Sequence, residues 1–314
     1  MRSGIKKNNM NKKQRIIFTV LVLIIPLLNF AVFTVGMNGE MFVSSFFMTK
    51  TLKDGSMVNT FAGFHNYQVL FRNLSDFTGE EAISFVILKN TLAIIPVSIL
   101  TTCLSLIMSY AIARKFKGYR FFRIVLYAPC ILSTVVLCMI FRYMCLEGGL
   151  LYELFGKNIP GGQGLFSDDV VWKIVIGYTI WTGCVINLYF MSAFARLPQS
   201  LFESAELDGA SETVLFFKIA FPLISSLFVT MLLSSICGAF GFFAPVYFLT
   251  NVSQKSAHTI GYILVTFAEG NSGAVDGRVG LYAALGVVIT IIGSLVAIFT
   301  RWLGNKLAVE DLEY

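Results

Sequence analysis

Six stretches of this chain are apolar over about twenty residues each, near Ile16–Val35, Leu92–Ala113, Phe122–Arg142, Val170–Ala195, Pro222–Leu249 and Leu281–Leu303. A helix of ~20 residues rising 1.5 Å per residue crosses the ~30 Å hydrocarbon core of a bilayer. Strands are a poor alternative, because the runs are continuous rather than alternating and only a closed barrel hides strand edges from lipid. Composition agrees: 56% of residues are hydrophobic and 13% charged, against about 45–50% and 25% in soluble domains. Disorder, a collagen-like rod and a disulfide-stapled secreted module are thereby excluded, and a soluble enzyme is a poor fit. The expected fold class is an all-α membrane protein with six transmembrane helices.

The first run follows a basic leader, Arg2, Lys6, Lys7, Lys12, Lys13 and Arg15. No small-x-small cleavage site follows it cleanly, so an uncleaved first helix is expected. With the N-terminus cytoplasmic, 15 of the 24 Lys and Arg residues fall in the short inner segments and 9 in the longer outer ones. That density places both termini in the cytoplasm, with Arg114, Lys115, Lys117, Arg120 and Arg123 as a second inner anchor. The net charge of +6 is then an orientation signal, and no nucleic-acid partner is implied. The expected organisation is a basic N-terminus over 1–15, a first span over 16–35, and an outer loop with the approach to the second span over 36–91. A transmembrane core over 92–303 and a C-terminal tail over 304–314 follow.

Several other features point away from chemistry. The six cysteines lie in apolar runs without a CxxC pair and are expected to be reduced packing residues. His65 and His258 fall in expected outer loops and are most simply solvated. No Ser/His/Asp or metal-ligand constellation occurs, so no catalytic residue and no metal site is expected. The glycines at 161, 162 and 164 lack a following P-loop lysine, and no GxxxxGK[ST] motif exists, so any ATP must bind another subunit.

The least ordinary segment is the inner loop over 196–221, RLPQSLFESAELDGASETVLFFKIAF. Ser200 and Glu203 have capping-box spacing, Gly209 suits a left-handed helix end, and Asp208 suits the cap of a following helix. A short helix, a sharp bend and a second helix leading to Pro222 are expected. Such an elbow makes a rigid knob for a groove on a cytoplasmic partner, although local capping accounts for the same residue types.

Glu203, Ser204 and Ala205, then Asp208, Gly209 and Ala210, then Phe216, Ile219 and Pro222 resemble the EAA loop of permease subunits of binding-protein-dependent ABC importers. Nine residues separate the glycine from the isoleucine. Ser204 stands for the usual alanine, Phe221 for leucine, and Ser226 where many members carry a second proline. Gly63, Asn66 and Tyr67, with Asn90, Thr91 and Leu92, resemble the "GxxNY … NTL" pattern of sugar-type permeases. The resemblance implies an ABC importer permease fold in the cell membrane. The implied partners are a second homologous permease, two cytoplasmic ABC ATPases holding ATP and Mg, and an extracytoplasmic solute-binding protein. It further implies that Glu203, Ala205, Asp208, Gly209, Ala210, Phe216, Ile219 and Pro222 couple the chain to the ATPase, while the chain binds no cofactor itself.

The spans hold almost no ionisable residues. Lys89, Arg142, Lys173, Arg123 and Arg301 sit near span ends, where snorkelling explains them. Neutral groups such as Asn187, Tyr178, Thr182, Tyr189, Ser234, Ser235, Thr290 and Ser294 suit a polyol solute, but helix-to-helix hydrogen bonding competes for each. Phe240, Phe243 and Tyr247 are candidate pathway residues beside Asn187, since the family places the fifth helix along the route. Import of a carbohydrate is the expected function. A peptide or osmolyte is the nearest alternative, and a self-sufficient secondary transporter would need repeats and mid-membrane charges that are not seen.

Overall fold

The computed structural model describes residues 12–51, 57–75, 85–156, 164–168, 170–183, 188–250, 254–268 and 279–307. It is largely helical, as the apolar runs dictate. Among the described residues, five helical segments are long and apolar enough to cross a membrane, and a bent helix pair makes a sixth if it is one span. Helix α1 runs Ile16–Ser44, nine residues beyond the expected end, and passes through a wide π turn at Phe30–Gly36. Its side chains from Ile16 to Glu40 are exposed throughout, which for so apolar a helix makes lipid the natural solvent.

After α1 the all-α expectation gains a small exception. Strands β1 (Phe47–Thr51) and β2 (Met57–Phe61) pair antiparallel, with Phe47 opposite Phe61. Helix α2 (His65–Leu74) follows. The Gly-x-x-Asn-Tyr pattern has a physical reason here. The Asn66 amide donates to the carbonyls of Ser45 at 2.8 Å and Phe47 at 2.9 Å, and the Tyr67 hydroxyl lies 2.7 Å from Ser45 Oγ. His65 is exposed, as expected.

The chain divides into two compact units, one formed by 1–68 with 275–287 and the other by 69–274 with 288–314. In the second unit, α3 (Phe85–Ala113) is the central helix. The third expected span, Phe122–Arg142, is not straight. Helices α4 (Tyr119–Ile131) and α5 (Thr134–Cys145) meet at an angle of 106°. Leu132 and Ser133 are extended at the break, and the Ser133 hydroxyl caps α5 by accepting from the Val136 amide. Helices α6 (Val171–Gly183) and α7 (Leu188–Arg196) flank 184–187, so Cys184 and the pathway candidate Asn187 lie outside the described residues. Helix α8 covers Gln199–Leu207 and α9 covers Glu212–Phe240.

The expected fifth span, Pro222–Leu249, stops at Phe240. Gly241 to Phe243 break it, and α10 (Ala244–Leu249) starts afresh with Pro245 in its first turn. The following segment also departs from expectation. Residues 254–268 are a largely buried fold-back ending in helix α11 (Ile260–Ala268). The Thr259 hydroxyl donates to the Phe242 carbonyl at 2.6 Å. A Cβ on Gly261 would stand 2.8 Å from the Gly241 carbonyl carbon and 2.9 Å from the Phe242 oxygen. Only glycine lets the two backbones approach this closely. His258 is therefore not solvated: it is buried, and its ring stacks on Tyr262 at 4.3 Å. The Asn-Thr pair of the second motif makes the same fold-back possible. Asn90 Nδ2 donates to the carbonyls of Ser256 and His258, and Thr91 Oγ1 accepts from the Ile260 amide at 3.0 Å. Helix α12 (Val279–Leu307) completes the fold.

Candidate functional site

The elbow over 196–221 is built by backbone rules. Pro198, extended at φ −61° and ψ 126°, stands at the N-cap of α8, so Ser200 lies inside the first turn. The expected Ser200–Glu203 capping box does not form, because proline's fixed φ and missing N–H favour an earlier start. The far end matches a Schellman motif. Gly209 has φ +83°, its amide donates to the Glu206 carbonyl at 3.0 Å, and the Ala210 amide donates to the Ala205 carbonyl at 2.9 Å. No atom crowds the position of a Gly209 Cβ, so the requirement for glycine is conformational rather than steric. Asp208 closes α8 as its C-cap, and Ser211 rather than Asp208 precedes the next helix. A π turn over Leu215–Ala220 then leads into Pro222, and the wider turn accommodates a residue that cannot donate in an α ladder.

The resemblance residues divide into two sets. Ala205, Ala210, Phe216 and Ile219 pack on a buried cluster of Leu106, Tyr110, Phe190, Phe194, Phe202 and Leu215. Glu203, Asp208 and Gly209 face outward, and beside them Leu207 is 89% exposed, far more than its apolar side chain would favour without a partner. Pro222 is half-buried in α9.

Sequence reasoning missed how the elbow is fastened. Arg114, just beyond α3, forms ion pairs with both Glu206 and Glu212; its Nη2 lies 3.0 Å from Glu212 Oε1. The guanidinium sits 5.2 Å from the Phe202 ring centroid, and the Tyr110 hydroxyl donates to Glu212 Oε2 at 3.0 Å. Burial alone would lower the Arg114 pKa, but hydrogen bonds with Glu212 and Glu206 outweigh it and the net direction is up. Arg114 therefore bridges α8 and α9 from the end of α3. Its positive charge with two glutamates placed 92 and 98 residues later is invisible to local spacing. Beside it, Tyr110, Arg114, Phe194, Leu197, Gln199 and Phe202 line a cleft of about 160 Å³.

The pathway candidates are less unified. Phe240 is buried at the end of α9 and Phe243 is exposed at the break. Tyr247 lies on α10 with its ring 6.2 Å from Tyr262. Several polar candidates serve the helices themselves. Ser235 Oγ lies 2.7 Å from Thr102 Oγ1, Thr182 donates to the Tyr178 carbonyl, and Ser294 donates to the Thr290 carbonyl. Arg142 does not snorkel: its guanidinium donates to the Phe248 carbonyl at 2.9 Å and lies over Phe166. The five described cysteines are free thiols.

A family profile described as the binding-protein-dependent transport system inner membrane component matches residues 101–309, two thirds of the chain. The chain belongs to that family. This permease is 26% identical over 265 residues to the arabinooligosaccharides transport system permease protein AraP of Halalkalibacterium halodurans, covering 80% of this chain and 78% of that protein. It is 23% identical over 238 residues to the sn-glycerol-3-phosphate transport system permease protein UgpA of Agrobacterium fabrum, covering 74% and 77%. The permease superposes on a chain of a bacterial alginate ABC transporter, crystallised with an alginate pentasaccharide-bound periplasmic protein, with a TM-score of 0.72. The match covers 95% of this chain and 96% of that one at 17% identity, a likeness of fold. The permease is accordingly a multi-pass membrane transport subunit.

Proposed function

We propose that this permease translocates a carbohydrate handed over by an extracytoplasmic solute-binding protein, with a second permease completing the pathway. Two cytoplasmic ATPases, holding ATP and Mg, supply the work. The names of its relatives support a carbohydrate, and the elbow supports the coupling. Both termini and the elbow lie on the cytoplasmic side in this reading. Glu203, Leu207, Asp208 and Gly209 present the outward tip to a groove of the ATPase, while Ala205, Ala210, Phe216 and Ile219 anchor it. Phe240, Phe243, Tyr247 and Asn187 line or approach the route.

The observation that carries the coupling role is the combination of a Leu207 exposed at the tip with an Arg114 bridge behind it. A knob braced at its base transmits a domain rotation that a slack loop would absorb. Affinity purification from the native membrane should recover an ATPase and a second permease. In vesicles, a carbohydrate-loaded binding protein should stimulate ATP hydrolysis. Recovery as a solitary, active carrier overturns the reading, and stimulation by a loaded peptide receptor instead would reassign the solute.

A further inference from the structure

Between Glu81 and Glu147 the sequence has no acidic residue, yet Arg114, Lys115, Lys117, Arg120 and Arg123 fall within ten consecutive positions. Arg114 is neutralised by Glu206 and Glu212, and among the described residues the other four form no ion pair. The chain turns tightly there, with Lys115 at φ +53° and Gly118 at φ +89°. A lysine held in the left-handed region is uncommon, and the turn gathers the cations instead of spreading them along an extended segment. The Arg120 guanidinium lies 5.9 Å from the Tyr119 ring centroid, its Nε 3.4 Å from the Tyr119 hydroxyl. Aromatic side chains are interleaved with them: Phe122 lies 5.6 Å from Phe116 and 5.8 Å from Phe121 between ring centroids.

The orientation of α4 decides what such a patch meets. At 106° to α5, α4 does not continue α5 as a straight span, and with the shorter α5 entering the bilayer along its normal α4 lies along the membrane surface. It is an amphipathic segment about 20 Å long at 1.5 Å per residue, with Arg120 and Arg123 in its first half interleaved with exposed Phe121, Ile124 and Val125. We propose that the Lys115–Arg123 segment binds the headgroups of anionic phospholipids, with α4 seated in the plane of the bilayer. Lys and Arg donate to phosphate oxygens while the adjoining aromatic and aliphatic groups enter the acyl boundary. An acidic protein surface would match the cations alone; a bilayer supplies phosphate and hydrocarbon at adjoining depths.

The test is native mass spectrometry of the full-length chain, titrated with phosphatidylglycerol or phosphatidylcholine. Phosphatidylglycerol should be retained preferentially. Each interfacial cation contributes about fivefold to membrane affinity, so K117Q or R123Q should weaken retention about fivefold and the fourfold Gln variant by several hundredfold. Raised salt should weaken the wild type in parallel, a readout independent of whether the fourfold variant folds. Equal retention of both lipids, or retention unaffected by the substitutions and by salt, overturns the proposal. Displacement of the lipid by millimolar inorganic phosphate would instead mark a soluble-anion site. That result also overturns it.

Discussion

Replacing Arg114 with alanine should detach the elbow from the end of α3 while leaving the spans inserted. The bridge comprises a partly exposed guanidinium, 25% accessible in its side chain, paired with glutamates that are 46% and 63% accessible. At such exposure each pair contributes about 0.3–1 kcal/mol. The position over Phe202 adds about 0.5–1 kcal/mol. The sum is about 1–3 kcal/mol, and a central value of ~2 kcal/mol lowers the ratio of fastened to loosened elbow about 30-fold. Hydrogen exchange in residues 199–214 should accelerate by that order. Solute-stimulated ATP hydrolysis should fall while basal hydrolysis persists. R114K should rescue poorly, since an ammonium lacks the planar fork that reaches two carboxylates. In a double-mutant cycle, R114A and E212Q should be non-additive by about 0.5 kcal/mol or more. Exchange rates and coupled hydrolysis matching wild type, or strict additivity with E212Q, would refute the bridge.

Gly209→Val should abolish uptake with normal membrane insertion, because a side chain at φ +83° costs about 1–2 kcal/mol and more when β-branched. Gly209→Asn, which tolerates that region, should keep most of the uptake activity. Leu207→Asp removes an exposed apolar tip without touching the packed face, so co-purification of the ATPase should fall several-fold while the melting temperature of the isolated chain stays within a degree or two. Gly261→Ala places a methyl group 2.8 Å from the Gly241 carbonyl carbon; overpacking of about 1–3 kcal/mol should appear as a lowered thermal midpoint, whereas an unchanged midpoint would show that the fold-back is loose.

The lengths of the apolar runs made the membrane class and the approximate places of the spans legible, because bilayer thickness sets that scale. Gly209 was legible too, since few residues other than glycine enter the left-handed region. Other features depended on partners remote in sequence. The break at Gly241–Phe243 lies within a continuous apolar run, and it became visible only with Thr259 and Gly261 packed against it. His258 reads as a loop residue, yet Asn90 from the distant helix α3 holds its carbonyl and Tyr262, one turn further on in α11, stacks on its ring. Arg114 looked like an orientation charge because its two glutamates belong to another segment. The Asn66 and Asn90 motifs were recognised as patterns, and their physical reason, capture of backbone carbonyls by a side-chain amide, required the fold.

In the proposed coupling, the π turn at Leu215–Ala220 would set the gearing between the elbow and the membrane. Each bond there spans one residue more than in an α-helix, and one helical position corresponds to about 100° of azimuth. Rewinding that single turn would swivel the tip about the α9 axis with little lengthening of the helix. A small change of winding beside Pro222 would then convert an axial push into a twist.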